Sequence, residues 1–96
     1  MKMFIIMYEY ALDADVNAAI KKAGITGYTK WSKVHGAGPE TGLKLDSRYW
    51  PGENDVLLVV VDDKDVPKVK EMVLHLRKEF PKSGVRGFIV PVEEMI

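Results

Sequence analysis

The stretch Val56-Leu57-Leu58-Val59-Val60-Val61-Asp62-Asp63 decides the fold of this chain. A run of aliphatic residues this short, mostly β-branched and closed by two aspartates, reads as a strand buried on both faces and therefore central in its sheet. Asp62, Asp63 and Asp65 then introduce a helix by capping and by complementing its dipole, and Pro67 is tolerated in the first turn. Within that helix Val66, Val69, Val73, Leu76 and Phe80 recur at steps of three and four, which makes one apolar stripe. Burying these side chains contributes roughly 8 to 15 kcal/mol, an upper bound because the unfolded chain already hides part of the surface. Pro81 and Gly84 end the helix, and residues 88–92 form a last strand whose Pro91, lacking a donor, belongs at a sheet edge.

The first half of the chain repeats the pattern. Residues 3–8, Met-Phe-Ile-Ile-Met-Tyr, are a second wholly apolar run and a second central strand. Asp13 or Asp15 is placed to cap a helix carrying Val16, Ala19, Ile20 and Ala23 at helical spacing, with Gly24 to end it. In the strand at 28–34 the apolar residues fall at Tyr28, Trp31 and Val34, which strict alternation does not allow; one extra residue, a β-bulge, reconciles the spacing. Lys30 and Lys33 suit an exposed edge. Two β-α-β halves joined by a long loop over residues 36–54 imply one domain, residues 1–96, of α+β class: a ferredoxin-like βαββαβ sandwich, its four-stranded antiparallel sheet carrying two helices on one face. Both faces of the central strands are apolar, so the face without helices is expected to be covered by other copies of the chain.

Composition excludes several classes. The chain has 96 residues, 14 basic against 14 acidic, so no net field draws it to nucleic acid or to an acidic membrane. Without cysteine there is neither a disulfide nor a thiolate site, which suits a cytoplasmic location. The apolar run at residues 3–7 is shorter than a signal-peptide core and far shorter than a membrane span, so no direct membrane insertion is expected.

The run Gly24-Ile25-Thr26-Gly27-Tyr28-Thr29, followed by Gly36-Ala37-Gly38 at the start of the long loop and by the aliphatic third strand ending in Asp62-Asp63, resembles the PII nitrogen-regulatory signalling proteins over nearly the whole chain. Tyr49-Trp50-Pro51-Gly52-Glu53-Asn54 and Pro91-Val92-Glu93-Glu94 look like a short, divergent branch of PII-like proteins with a reduced T-loop and B-loop. The resemblance implies a homotrimer packed around its sheets, a regulatory and non-enzymatic role, and ATP, ADP or another anionic effector in the cleft between subunits. It also implies a regulated protein partner, such as a membrane transporter, met through the 36–54 loop. Position by position, Thr29 matches the strand-two threonine near the adenine, and Gly36 and Gly38 match the glycines at the T-loop base. The B-loop departs from the pattern: in place of Thr-Gly-x-x-Gly-Asp-Gly-Lys the chain has Ser83-Gly84-Val85-Arg86-Gly87.

The residues themselves leave alternatives open. Gly84, Arg86 and Gly87, with Lys33 or Lys82 nearby, can offer backbone N–H groups and a guanidinium to an anion; equally, Gly84 can end a helix and Gly87 ease the chain into a strand. Tyr49 and Trp50, with Trp31 and Tyr28, can bind a partner or a ligand base, or pin the loop to its own trimer. Residues 43–50 alternate in a way that suits an extended segment. His35 and His75 make no metal motif within one chain, but three copies of His35 in a trimer sustain a second reading, a metal-homeostasis protein resembling the CutA copper-tolerance proteins and binding a divalent metal. Arg86-Gly87-Phe88-Ile89-Val90 lacks the aromatics and basic surface of an RNA-recognition motif, and Glu9-Tyr10-Ala11-Leu12 lacks the anion loop of an acylphosphatase. No nucleophile and base pair is discernible.

Overall fold

Both wholly apolar runs are central strands. In the computed structural model, which describes residues 1–36 and 53–96, the order is β1 (Lys2–Glu9), a 3-10 turn at Tyr10–Leu12, α1 (Asp13–Lys22), β2 (Thr29–His35), β3 (Glu53–Val61), a second 3-10 turn at Asp63–Asp65, α2 (Val66–Glu79) and β4 (Arg86–Pro91). The strands lie in the order β2-β3-β1-β4, every neighbouring pair antiparallel. This is the ferredoxin-like arrangement, with the lysine-bearing and proline-bearing strands at the edges.

Alternation divides the sheet cleanly. Phe4, Ile6 and Tyr8 of β1 and Leu57 and Val59 of β3 are buried beneath the helices, against Val16 and Ile20 of α1 and Val69, Met72, Val73 and Leu76 of α2. Met72 widens the α2 stripe beyond the positions read from spacing, while Val66 and Phe80 pack at its margins. The other face keeps its apolar side chains in the open: Met7 is 40% exposed, Val60 39%, Phe88 47% and Trp31 56%.

Strand β2 carries the expected bulge. Trp31 pairs with Val56 and Val34 with Asn54, so Ser32 and Lys33 together oppose Asp55. The insertion puts Trp31 and Val34 both opposite partners on the open face, which is why apolar residues recur at a step of three.

Three local expectations are corrected. Asp13 and Asp15 do not cap α1: its N-cap is Leu12, without a side-chain cap, because the 3-10 turn leads directly into the helix and places Asp13 in the first turn. Neither Asp62 nor Asp65 makes a side-chain cap at the start of α2 or its lead-in turn, and Asp63 instead takes the Met1 ammonium at 2.8 Å and the Lys2 Nζ at 3.1 Å. The last strand begins at Arg86 rather than at residue 88, since β1 is long enough for Met7 and Ile6 to pair with Arg86 and Gly87.

Gly24 ends α1 as read, in a left-handed conformation with φ of 76°. Its N–H donates to the Lys21 carbonyl and that of Ile25 to the Ile20 carbonyl, the two bonds of a Schellman motif, while the Ile25 side chain reaches the core. Gly24→Ala is therefore expected to cost about 1 kcal/mol in urea unfolding. Gly27→Ala, at a position with no positive φ and open space around a Cβ, is expected to be neutral within about 0.5 kcal/mol.

Candidate functional site

The residues read as anion-binding fall into two groups. Thr29, Lys33 and the exposed Gly36 lie on β2 and at its end, whereas Gly84, Arg86 and Gly87 lie at the start of β4. Across the sheet one row runs Trp31, Val56, Met7, Arg86 and the next Thr29, Leu58, Ile5, Phe88. Partners in a ladder share a face, so Thr29 and Arg86 both point to the open, helix-free side. Three strand spacings separate them, roughly 14 Å. A single chain does not bring the two groups together. Gly38, Tyr49 and Trp50, and the extended reading of residues 43–50, lie outside the described residues.

Each group has its own local anchor. On the β4 side, Gly84 adopts φ of 66° with open space where a Cβ would stand, so its left-handed turn favours glycine for backbone reasons. Val85 is buried, and its carbonyl accepts a 2.6 Å hydrogen bond from Arg77 Nη1 in the last turn of α2. That bond holds the turn to the helix while leaving Arg86 exposed. Gly87 has a packing reason to be glycine: a Cβ there would stand 3.1 Å from Val73 Cγ1.

On the β2 side the anchor is a buried polar cluster that spacing did not reveal. Asp55 is fully buried on the helix-covered face, and its Oδ1 accepts the Lys33 N–H at 2.9 Å. Lys33 sits at φ of 58°, a conformation costing about 1–2 kcal/mol for a residue with a side chain; the bond to Asp55 holds the bulge in it. Next to Asp55, Asp13 Oδ1 accepts from Tyr8 Oη at 2.7 Å and from Lys30 Nζ at 2.7 Å. Lys30 also donates to Asn17 Oδ1 at 2.6 Å. The Lys33 ammonium lies 4.8 Å from the centre of the Tyr10 ring.

The electrostatics follow from these contacts. Burial would raise the Asp13 carboxyl, but the hydrogen bonds from Lys30 and Tyr8 outweigh it and hold the group below the usual carboxylate range. Burial raises the Asp55 carboxyl, and the Asp13 charge adds to the rise against the opposing pull of the Lys33 N–H. Burial, then donation to Asp13, pushes the Tyr8 hydroxyl well above its ordinary value. One signal for this cluster was in the sequence: counting back in twos from Val59 and Leu57 puts Asp55 on the core face.

A cleft of about 400 Å³ opens on the same chain, between the α1–β2 turn at Gly24, Ile25 and Gly27 and the end of β3 at Val61 and Asp62, with Lys68 at its wall. Its lining includes much of the 24–29 run that carries the family resemblance. His35 is exposed at the end of β2, and His75 stands 3.4 Å from Glu79 Oε1 on α2. Among the described residues no group of three or more His, Cys, Asp or Glu is arranged to hold a metal.

The family model described as "Nitrogen regulatory protein P-II" matches residues 1–96. Among solved structures the chain is similar to a PII-like signaling protein of Thermus thermophilus, at 25% identity and a TM-score of 0.62 over 92% of this chain and 82% of that one. It also shares its fold with CPII of Thiomonas intermedia K12, a nitrogen regulatory PII-like protein. The form of CPII bound to ADP, AMP and bicarbonate is 20% identical, with a TM-score of 0.65 over 92% of this chain and 81% of that one. The form bound to ADP, AMP and acetate is 16% identical, with a TM-score of 0.72 over 99% and 88%. No curated protein matches the sequence.

Lys30→Met leaves Asp13 without its cation while Tyr8 and Asp55 stay buried beside it, and is expected to cost about 1–3 kcal/mol in urea unfolding at neutral pH. Lys33→Met gives up only the ammonium over Tyr10, since the N–H that Asp55 holds is backbone, and is expected to cost less than about 1 kcal/mol.

Proposed function

Since the chain belongs to the nitrogen regulatory protein P-II family, we propose that it acts as a homotrimeric, non-enzymatic regulator that takes an adenine nucleotide or a similar anionic effector between its subunits. The observation that carries this reading is the separation of the two groups of candidate ligands. Thr29, Lys33 and Gly36 on one edge, and Gly84, Arg86 and Gly87 on the other, meet only if one subunit's β2 edge lies against another's β4 edge. The apolar open face supplies a reason for copies to associate.

Within such a site the division of labour follows chemistry. Thr29, on the open face of the β2 edge, suits the edge of a purine. The left-handed Gly84 turn and the Arg86 guanidinium suit phosphate oxygens, with Lys33 at the neighbouring loop base. The ADP and AMP in the CPII structures, and the bicarbonate in one of them, make these the first effectors to test. The segment between β2 and β3, with Tyr49 and Trp50, is the surface we assign to a regulated protein partner.

Light scattering is expected to give a mass near three times the 10.8 kDa of the chain; a monomer at micromolar concentration would overturn the assembly. If ADP or AMP is the effector, a concentration of about 100 Kd stabilises the protein by about 2.7 kcal/mol, visible as a rise in Tm. Arg86→Ala should weaken the nucleotide about 10- to 100-fold, the range of a lost charged hydrogen bond. Unchanged affinity in that variant would remove Arg86 from the site.

A further inference from the structure

Asp55 presents an unusual pairing of burial and incompleteness. It has no exposed surface. Its Oδ1 is engaged by the Lys33 N–H, while Oδ2 meets no hydrogen-bond partner among the described residues. Around it stand Tyr8, its direct partner on β1; Asp13 at the start of α1, held by Tyr8 and Lys30; and Lys30 and the Lys33 backbone on β2. Asn17 of α1 completes the shell through Lys30 and Asp13.

Charge counting points to a proton. With both carboxylates ionised, the lone ammonium of Lys30 leaves the cluster with one uncompensated negative charge, a state the interior disfavours strongly. With one proton on the pair the cluster is neutral: Asp13 keeps its ion pair with Lys30, and a protonated Oδ2 turns an orphan acceptor into a donor facing the Asp13 carboxylate. The Lys33 N–H remains on Oδ1 throughout.

We propose that Asp13 and Asp55 hold one proton between them in the folded protein, and that its loss is felt at the β2 bulge, where the Asp55 carboxyl accepts the Lys33 N–H. Lys33 is strained and Asp55 is what holds its N–H, so loss of the proton is read at the bulge as well as at the carboxylates. The raised Asp55 value and the lowered Asp13 value agree with an unequal, shared titration.

The sign is definite. A carboxyl that is easier to protonate when folded binds more protons in the native state, so its contribution to stability is lost as pH rises from the ordinary carboxylate range through the raised Asp55 value. The lowered Asp13 contributes the opposite limb, lost as pH falls below the ordinary range.

The test is a carbon-detected NMR titration of the side-chain carboxyls in the full chain, with the Lys33 amide followed in parallel. The expected result is an Asp55 midpoint above the ordinary carboxylate range, an Asp13 midpoint below it, and a Lys33 amide shift tracking Asp55. Asp13→Asn should lower the Asp55 midpoint, because the like charge is gone and Lys30 is freed to pair with Asp55. Asp55→Asn, which keeps an acceptor for Lys33 and supplies a permanent donor toward Asp13, should remove the fall in Tm on the alkaline side. An Asp55 midpoint at the ordinary value, a midpoint unmoved by Asp13→Asn, or a Lys33 amide indifferent to the titration would each overturn the proposal.

Discussion

Two helices can cover only one face of a four-stranded sheet, and this chain makes both faces of its central strands apolar. Nearly everything else in the architecture answers to that constraint. Phe4, Ile6, Tyr8, Leu57 and Val59 are sealed under α1 and α2, and the row of Trp31, Val56 and Met7, with Phe88 beside it, is left outward. An exposed apolar surface on the central strands is costly for an isolated domain and useful for an assembling one, because association removes it from water without further specialisation of the surface.

The edges of the sheet hold the two groups of candidate ligands apart. Thr29 at one edge and Arg86 at the other share a face yet sit about three strand spacings apart, roughly 14 Å. Each edge carries its own device for fixing backbone: Arg77 on the Val85 carbonyl beside the left-handed Gly84, and Asp55 on the Lys33 N–H at the bulge. Both devices put a polar side chain on a backbone atom where the chain departs from regular geometry. Strain of this kind persists only where the surroundings over-determine it, and it concentrates where a loop must leave a sheet in a set direction.

The candidate site is legible in parts. The end of α1 at Gly24 and the bulge can be read locally, because each depends on turn chemistry or on the phase of a strand within a few residues, whereas Thr29 and Gly36 enter only through the family resemblance. Asp13 misleads for the same reason that makes it a plausible cap: an acidic residue before an apolar helix usually is one. Here the 3-10 turn at Tyr10–Leu12 carries the chain into the helix and frees the carboxylate for Tyr8 and Lys30, contacts that span strand, helix and strand. Arg77 leaves no trace in the spacing because its partner is a carbonyl, and carbonyls have no signature in a sequence.

The sequence by itself determined the element order, the central and edge strands and the bulge in β2, because periodicity, β-branched runs and turn residues act over short distances and carry their meaning in their spacing. Only the tertiary structure decided which aspartates are buried together, which glycine is demanded by a close approach to Val73 and which by its own φ, and that Thr29 and Arg86 share the helix-free face. Those facts arise from residues far apart in the chain meeting across strands and helices. Burial, desolvation and like-charge proximity exist only once that meeting has taken place.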